Sequence, residues 1–160
     1  MNLVHHHVGV CVSDLDQARK WYAEVLGMTE GYAFEIPPFG VRGRFMEGHG
    51  TRVELFERSG SAPGIGGQDP PAALLTRGYG HIAFATSDLD RTFAELVARG
   101  ATPVWDPRPS PEPGVRMAFV ADLDGNLIEM IEPVSGKTAS RAMATITVIT
   151  ASPVRGREWA

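Results

Sequence analysis

Two histidines and two glutamates recur at matched places in this chain, and together they form a donor set suited to a divalent metal. His7 opens the run His-Val-Gly-Val-Cys-Val-Ser-Asp-Leu-Asp at residues 7–16, and His81 opens His-Ile-Ala-Phe-Ala-Thr-Ser-Asp-Leu-Asp at 81–90. Glu54 lies in Val-Glu-Leu-Phe-Glu and Glu129 in Ile-Glu-Met-Ile-Glu, 47 and 48 residues after the respective histidines. A single strand histidine is ordinarily just a hydrogen-bonded residue, and a single strand glutamate ordinarily faces solvent. Recurrence at equivalent positions favours ligation, because a pseudo-two-fold maps one His–Glu pair onto the other. Two imidazoles and two carboxylates make an N₂O₂ site acceptable to Zn, Ni, Co, Mn or Fe.

The elements that must position these residues repeat as well. A unit that recurs after about 75 residues is a duplicated supersecondary structure, since one copy cannot bury its own apolar face. In the first copy, residues 5–12 alternate as a strand, with His5 and His7 on one face and His6 on the other. Ser13 reads as the cap of a helix whose apolar face is Leu15, Ala18, Trp21, Tyr22, Val25 and Leu26, and Gly27 stops it. Extended stretches follow near 29–35, 41–47 and 51–57. In the second copy, a strand at 80–86, Ser87 as cap, a helix carrying Leu89, Phe93, Leu96 and Val97, and Gly100 as stop lead to stretches near 102–105, 115–121 and 126–132. Asp106 to Gly114, with four prolines, reads as a surface loop. Leu123 to Asn126 reads as a tight hairpin turn.

The expected fold is α+β, two tandem βαβββ modules forming a curved mixed sheet cup. Residues 1–57 form the first module, 58–79 a Gly/Pro/Ser-rich connector, 80–133 the second module and 134–160 a C-terminal tail, all within one domain. In the tail, Ala144 to Thr150 alternates like a strand. Period-2 geometry puts Glu57 and Glu132 on the opposite sheet face from Glu54 and Glu129.

Composition narrows the partners. The chain has 160 residues, 43% hydrophobic and 21% charged, with a formal net charge of −4. There is no basic footprint for nucleic acid and no polybasic or membrane-spanning stretch. The N-terminus shows no basic-then-apolar signal layout. The single cysteine, Cys11, excludes an internal disulfide and a cysteine-based zinc site, which fits a cytoplasmic protein. Cys11 sits among valines and reads as a buried small hydrophobe. Trp21, Tyr22, Phe45 and Phe93 read as core. Arg42, Arg44, Arg77 and Arg116 are weaker candidates for holding an anionic substrate group.

The run at 7–16, the helix end Leu26-Gly27, Val53-Glu54-Leu55, His81-Ile82-Ala83-Phe84, and Phe119-x-x-Asp122-x-Asp124-Gly125-Asn126-x-Ile128-Glu129 resemble the vicinal oxygen chelate superfamily. That group holds glyoxalase I, methylmalonyl-CoA epimerase, extradiol dioxygenases and antibiotic resistance proteins. The resemblance covers residues 5–133. It implies a metal at the base of the cup, held by His7, Glu54, His81 and Glu129, with Glu129 or Glu54 also serving as catalytic base. It implies a metal-dependent lyase or isomerase acting on a small substrate with vicinal oxygens through an enediolate-like intermediate.

Residues 36–57 and 79–84 look most like methylmalonyl-CoA epimerases. Pro38 stands where those commonly carry an acidic base, leaving Glu35 as the nearest carboxylate. An Fe(II) dioxygenase would use His7, His81 and Glu129 as a facial triad, with His49 and Tyr79 as outer candidates. A metal-free ligand-sequestering protein is the third reading. Two modules can close a cup within one chain or between two. The expectation is a two-fold homodimer, with 144–150 available to cover a sheet edge.

Overall fold

A computed structural model describes residues 1–64 and 69–133. The first module runs β1 (Val8–Val12), α1 (Leu15–Glu24), β2 (Thr29–Ile36), β3 (Val41–Gly48) and β4 (Thr51–Arg58). A short helix α2 (Pro70–Ala73) lies in the connector. The second module runs β5 (Ile82–Ala85), α3 (Leu89–Ala98), β6 (Thr102–Pro109), β7 (Val115–Ala121) and β8 (Leu127–Pro133). The strand orders are β1-β4-β3-β2 and β5-β8-β7-β6, each with one parallel pair and two antiparallel pairs. The α+β duplication expected from the sequence is therefore present as two mixed sheets. The strand-like stretch at 144–150 lies outside the described residues.

Both helices start one residue later than Ser13 and Ser87 suggest. Asp14 and Asp88 are the caps, their carboxylates accepting from the backbone N–H of Gln17 and Arg91 at 2.9 and 3.1 Å. A carboxylate adds charge complementarity to the helix dipole that a hydroxyl lacks. Gly100 ends α3 as a C′ glycine at φ 107°, with Gly100 N–H donating to Val97 O and Ala101 N–H to Leu96 O. Asp106 to Pro109 continues β6 rather than opening a loop, because the strand bends at two register shifts that accommodate its prolines.

Each helix is tied to its own sheet by the same ion-pair design. Arg42 donates to Glu57 at 2.8 Å and reaches Asp16, while Glu57 accepts the Leu15 N–H at 2.8 Å. Arg116 bridges Asp90 and Glu132 at 2.7 and 3.2 Å. Glu57 and Glu132 thus face the helices, as period-2 geometry requires. Arg42 and Arg116 are committed there and do not reach a ligand on the far face. Arg44 is held on the helix side too, by Gly31 O and Glu30.

The helix-side residues of both sheets share one core. Met46, Val53 and Leu55 join Ala118, Val120, Ile128 and Met130 around Trp21, Tyr22 and Leu89. Among the described residues, three bonds cross between the modules: Tyr22 O–H to Asp122 Oδ2 at 3.0 Å, Trp21 Nε1–H to Gly100 O at 3.2 Å, and Ser13 N–H to Asp124 Oδ2 at 3.0 Å. With the helix sides fused, the opposite faces turn away from the common core. In the second module α2 caps part of that opposite face, Ala73 packing on Met117, Phe119 and Leu127.

The open face of the first sheet is aromatic. Phe34 lies over Gly43, and a Cβ on Gly43 would overlap its ring. Gly43→Ala is expected to displace Phe34 and destabilise the protein by about 1–3 kcal/mol. Urea unfolding measures this, and the double variant with Phe34→Ala should recover part of the loss by clearing the overlap.

Candidate metal centre

His7 precedes β1 and Glu54 sits in the neighbouring parallel strand β4, where Gly9 is its register partner. This brings His7 Nε2 to 3.0 Å from Glu54 Oε2. The second module repeats the arrangement. Glu129 pairs in register with Ala83 of β5, and His81 Nε2 lies 3.1 Å from Glu129 Oε2. In both cases the glutamate is shielded by the sheet while the imidazole is about one-third exposed.

A matched aromatic braces each pair. Phe45 is the antiparallel partner of Glu54, and its ring meets His7 edge-on at 5.4 Å. Phe119 is the partner of Glu129 and meets His81 edge-on at 5.3 Å. Phe45 is buried, as expected from the sequence. Its register position opposite Glu54, matched by Phe119 opposite Glu129, is the signal that identifies it as a brace.

The chemistry of these donors fits a divalent ion. Two cis donors at about 2.1 Å from a first-row metal stand about 3 Å apart, which is the separation seen in each pair. The same spacing also suits an imidazole N–H donating to a carboxylate. Among the described residues no three His, Cys, Asp or Glu side chains converge on one point. The structure therefore brings His7 to Glu54 and His81 to Glu129 as two separate pairs, and among the described residues it does not bring the four together.

Burial pushes the Glu129 carboxyl above the ordinary glutamate range, and the His81 ring offsets part of that rise. Glu129 is 9% exposed. A shielded carboxyl with a raised affinity for protons is suited to accept one from carbon.

The other sequence candidates fall elsewhere. Glu35 pairs with Arg42 in register and so faces the helix side, away from His7 and Glu54. It does not join the His7–Glu54 pair. His49, at φ 50° in the β3–β4 turn, bonds Leu26 O at 2.6 Å and stacks edge-on against Phe84. It is a joint between modules. Tyr79 is fully exposed and, with His81, lines a cavity of about 430 Å³ between β1 and β5. Cys11 lines the same cavity and is exposed, correcting the expectation of a buried thiol. It shares the open face with Phe56, its register partner, because only even-numbered β1 residues turn to the core.

The Glyoxalase/Bleomycin resistance protein/Dioxygenase superfamily pattern matches residues 5–130, and the chain belongs to that superfamily. Among curated proteins it is 30% identical over 127 residues to lactoylglutathione lyase GLX1 of Arabidopsis thaliana, covering 79% of this chain and 43% of that protein. It is 28% identical to a probable lactoylglutathione lyase of Synechocystis, covering 82% of this chain and 96% of the other. The chain thus spans under half of the plant relative but nearly all of the cyanobacterial one. Over 62 residues, 39% of this chain and 35% of the relative, it is 39% identical to mitochondrial methylmalonyl-CoA epimerase of Bos taurus. Glyoxalase I of Zea mays superimposes with a TM-score of 0.64 at 26% identity, covering 82% of this chain and 45% of that one. No helix among the described residues is long and apolar enough to cross a membrane.

Proposed function

We propose that the protein is a metal-dependent lyase or isomerase of the glyoxalase type, acting on a small substrate with vicinal oxygens. The ligands are His7, Glu54, His81 and Glu129, and the site is completed in a two-fold homodimer. There, His7 and Glu54 of one copy meet His81 and Glu129 of the other. The observation that carries this reading is the pair of matched His–Glu contacts at 3.0 and 3.1 Å, on faces that one chain leaves apart. An isologous dimer joins unlike halves twice, giving two equivalent sites.

A divalent ion held there supplies Lewis acidity toward two adjacent substrate oxygens and fixes their orientation. The chain's own residues do the rest. Glu129, shielded and with its carboxyl pushed up by burial, takes the proton from a carbon that bears one of the oxygens and returns it to the neighbouring oxygen-bearing carbon or to the same one. Glu54 stands as the alternative base. Phe45 and Phe119 hold the imidazoles edge-on and keep water from the flank of each pair. A cytoplasmic setting suits the exposed, unpaired Cys11.

Metal analysis of untagged protein, with solvent deuterium exchange measured beside oxygen uptake, tests the assignment. The expected result is about one divalent ion per chain, two per dimer by native mass spectrometry, and exchange without oxygen consumption. Glu54→Ala should lower both metal content and turnover. A Glu54→Ala protein that keeps iron and consumes oxygen establishes instead a dioxygenase built on His7, His81 and Glu129.

A further inference from the structure

The two half-sites are not equivalent around their histidines. His6 Nδ1 lies 2.6 Å from His7 Nδ1, and Arg52 Nη1 lies 3.0 Å from His6 Nε2. His6 and His7 are adjacent because β1 begins only at Val8, so the chain before it is free of strand alternation and both rings stand beside Phe45. The second module has no such arrangement. Gly80 precedes His81, and Leu127 occupies the place of Arg52, two residues before the glutamate.

We infer that His6 is a positioning residue for His7, and that Arg52 sets which nitrogen of His7 carries the proton. The inference rests on the reading that His7 Nε2 is a metal ligand. Arginine only donates, so Arg52 requires a lone pair on His6 Nε2. The proton of neutral His6 is then on Nδ1, where it is donated to His7 Nδ1. The proton of His7 is left on Nε2 and donated to Glu54 Oε2 at 3.0 Å. Every donor in the chain Arg52, His6, His7, Glu54 is fixed by the one before it.

Ligation needs the opposite orientation. A metal on His7 Nε2 takes the lone pair there, so the His7 proton must sit on Nδ1 and be donated to His6 Nδ1. The proton of His6 then lies on Nε2, facing the guanidinium, donor against donor. Arg52 must turn away. It has other partners: Glu47 Oε1 at 3.1 Å and the face of Phe45 at 4.2 Å. His6 therefore supports the metal-bound tautomer of His7, while Arg52 stabilises the metal-free one. The first half-site is gated by this reversal, and the second is not.

The two substitutions should act in opposite directions, which a merely structural role would not produce. Calorimetry with zinc alone is expected to show His6→Ala binding about tenfold more weakly. His6→Asn, whose carbonyl oxygen can accept from Nδ1, should restore most of that loss. Arg52→Met should bind more tightly than the parent. In metal-free protein, long-range ¹⁵N–¹H correlation should find His7 protonated on Nε2, and Arg52→Met should shift it toward Nδ1. A wild-type His7 protonated on Nδ1, or affinities that fall alike in His6→Ala and Arg52→Met, would overturn the inference. Should the parent bind no zinc, the ligand assignment fails, and the tautomers of metal-free protein still decide the relay.

Discussion

Replacing His81 with alanine is expected to strip most of the bound metal and to lower kcat/KM by about a thousandfold or more. Loss of a ligand leaves three of the four proposed donors. Lewis-acid stabilisation worth several kcal/mol is lost with the ion, and each 1.4 kcal/mol is a factor of ten. His81 is also the group that offsets the rise in the Glu129 carboxyl. Without it, burial acts unopposed and the carboxyl moves further up. The residual activity should then show its acid limb at higher pH than the parent, because Glu129 must be ionised to take a proton. The side chain is 38% exposed, so its removal opens no cavity in the common core and circular dichroism should be unchanged. Metal analysis and a pH–rate profile make the measurement. Unaltered metal content in a folded His81→Ala protein would sink the site.

Much of this was legible in the sequence, for a physical reason. Duplication turns a weak local signal into a strong one, since His7 and His81 each stand one residue before the first strand of their module. The period of two placed Glu54 and Glu129 on one face and Glu57 and Glu132 on the other, and the register with Phe45, Phe119, Arg42 and Arg116 bears that out. Alternation failed where no ladder enforces it. His6 was assigned to the face opposite His7, but the strand starts only at Val8 and the two rings touch. Cys11 was read by the company it keeps in sequence. A strand flanked by valines buries the valines and exposes what lies between them. The helix caps were missed by one residue because Ser-Asp offers two capping side chains, and only backbone geometry separates them. How the two modules meet is not readable in the sequence. It depends on side-chain bonds between residues some 100 apart, Tyr22 to Asp122 above all.

That bond belongs to a network which makes Asp122→Ala the substitution expected to cost most in stability. Asp122 is 5% exposed and carries four bonds. Oδ1 accepts the backbone N–H of Asp124 at 3.0 Å and of Asn126 at 2.8 Å. Oδ2 accepts Tyr22 O–H at 3.0 Å and Asn126 Nδ2–H at 2.9 Å. One carboxylate therefore shapes the β7–β8 turn and fastens it to α1. Burial, reinforced by the charge of Asp122, holds the Tyr22 phenol well above its usual range, so it stays a donor. Alanine would leave the tyrosine hydroxyl and two turn N–H groups without their acceptor in a shielded site. The expected loss is about 3–5 kcal/mol, roughly 10–20 °C in Tm for a domain of this size. Tyr22→Phe removes one donor and leaves the turn intact, so about 1–2 kcal/mol is expected. The double variant should lose less than the two singles combined, because both delete the same contact. Additive losses would show the module junction to be independent of the turn. Since β8 leaves that turn carrying Glu129, a loosened Asp122→Ala protein should also bind metal more weakly than its remaining folded fraction accounts for. Native-state hydrogen exchange across 122–129, compared in the two single variants, separates the turn's contribution from the junction's, because only Asp122→Ala should raise exchange at the Asn126 amide.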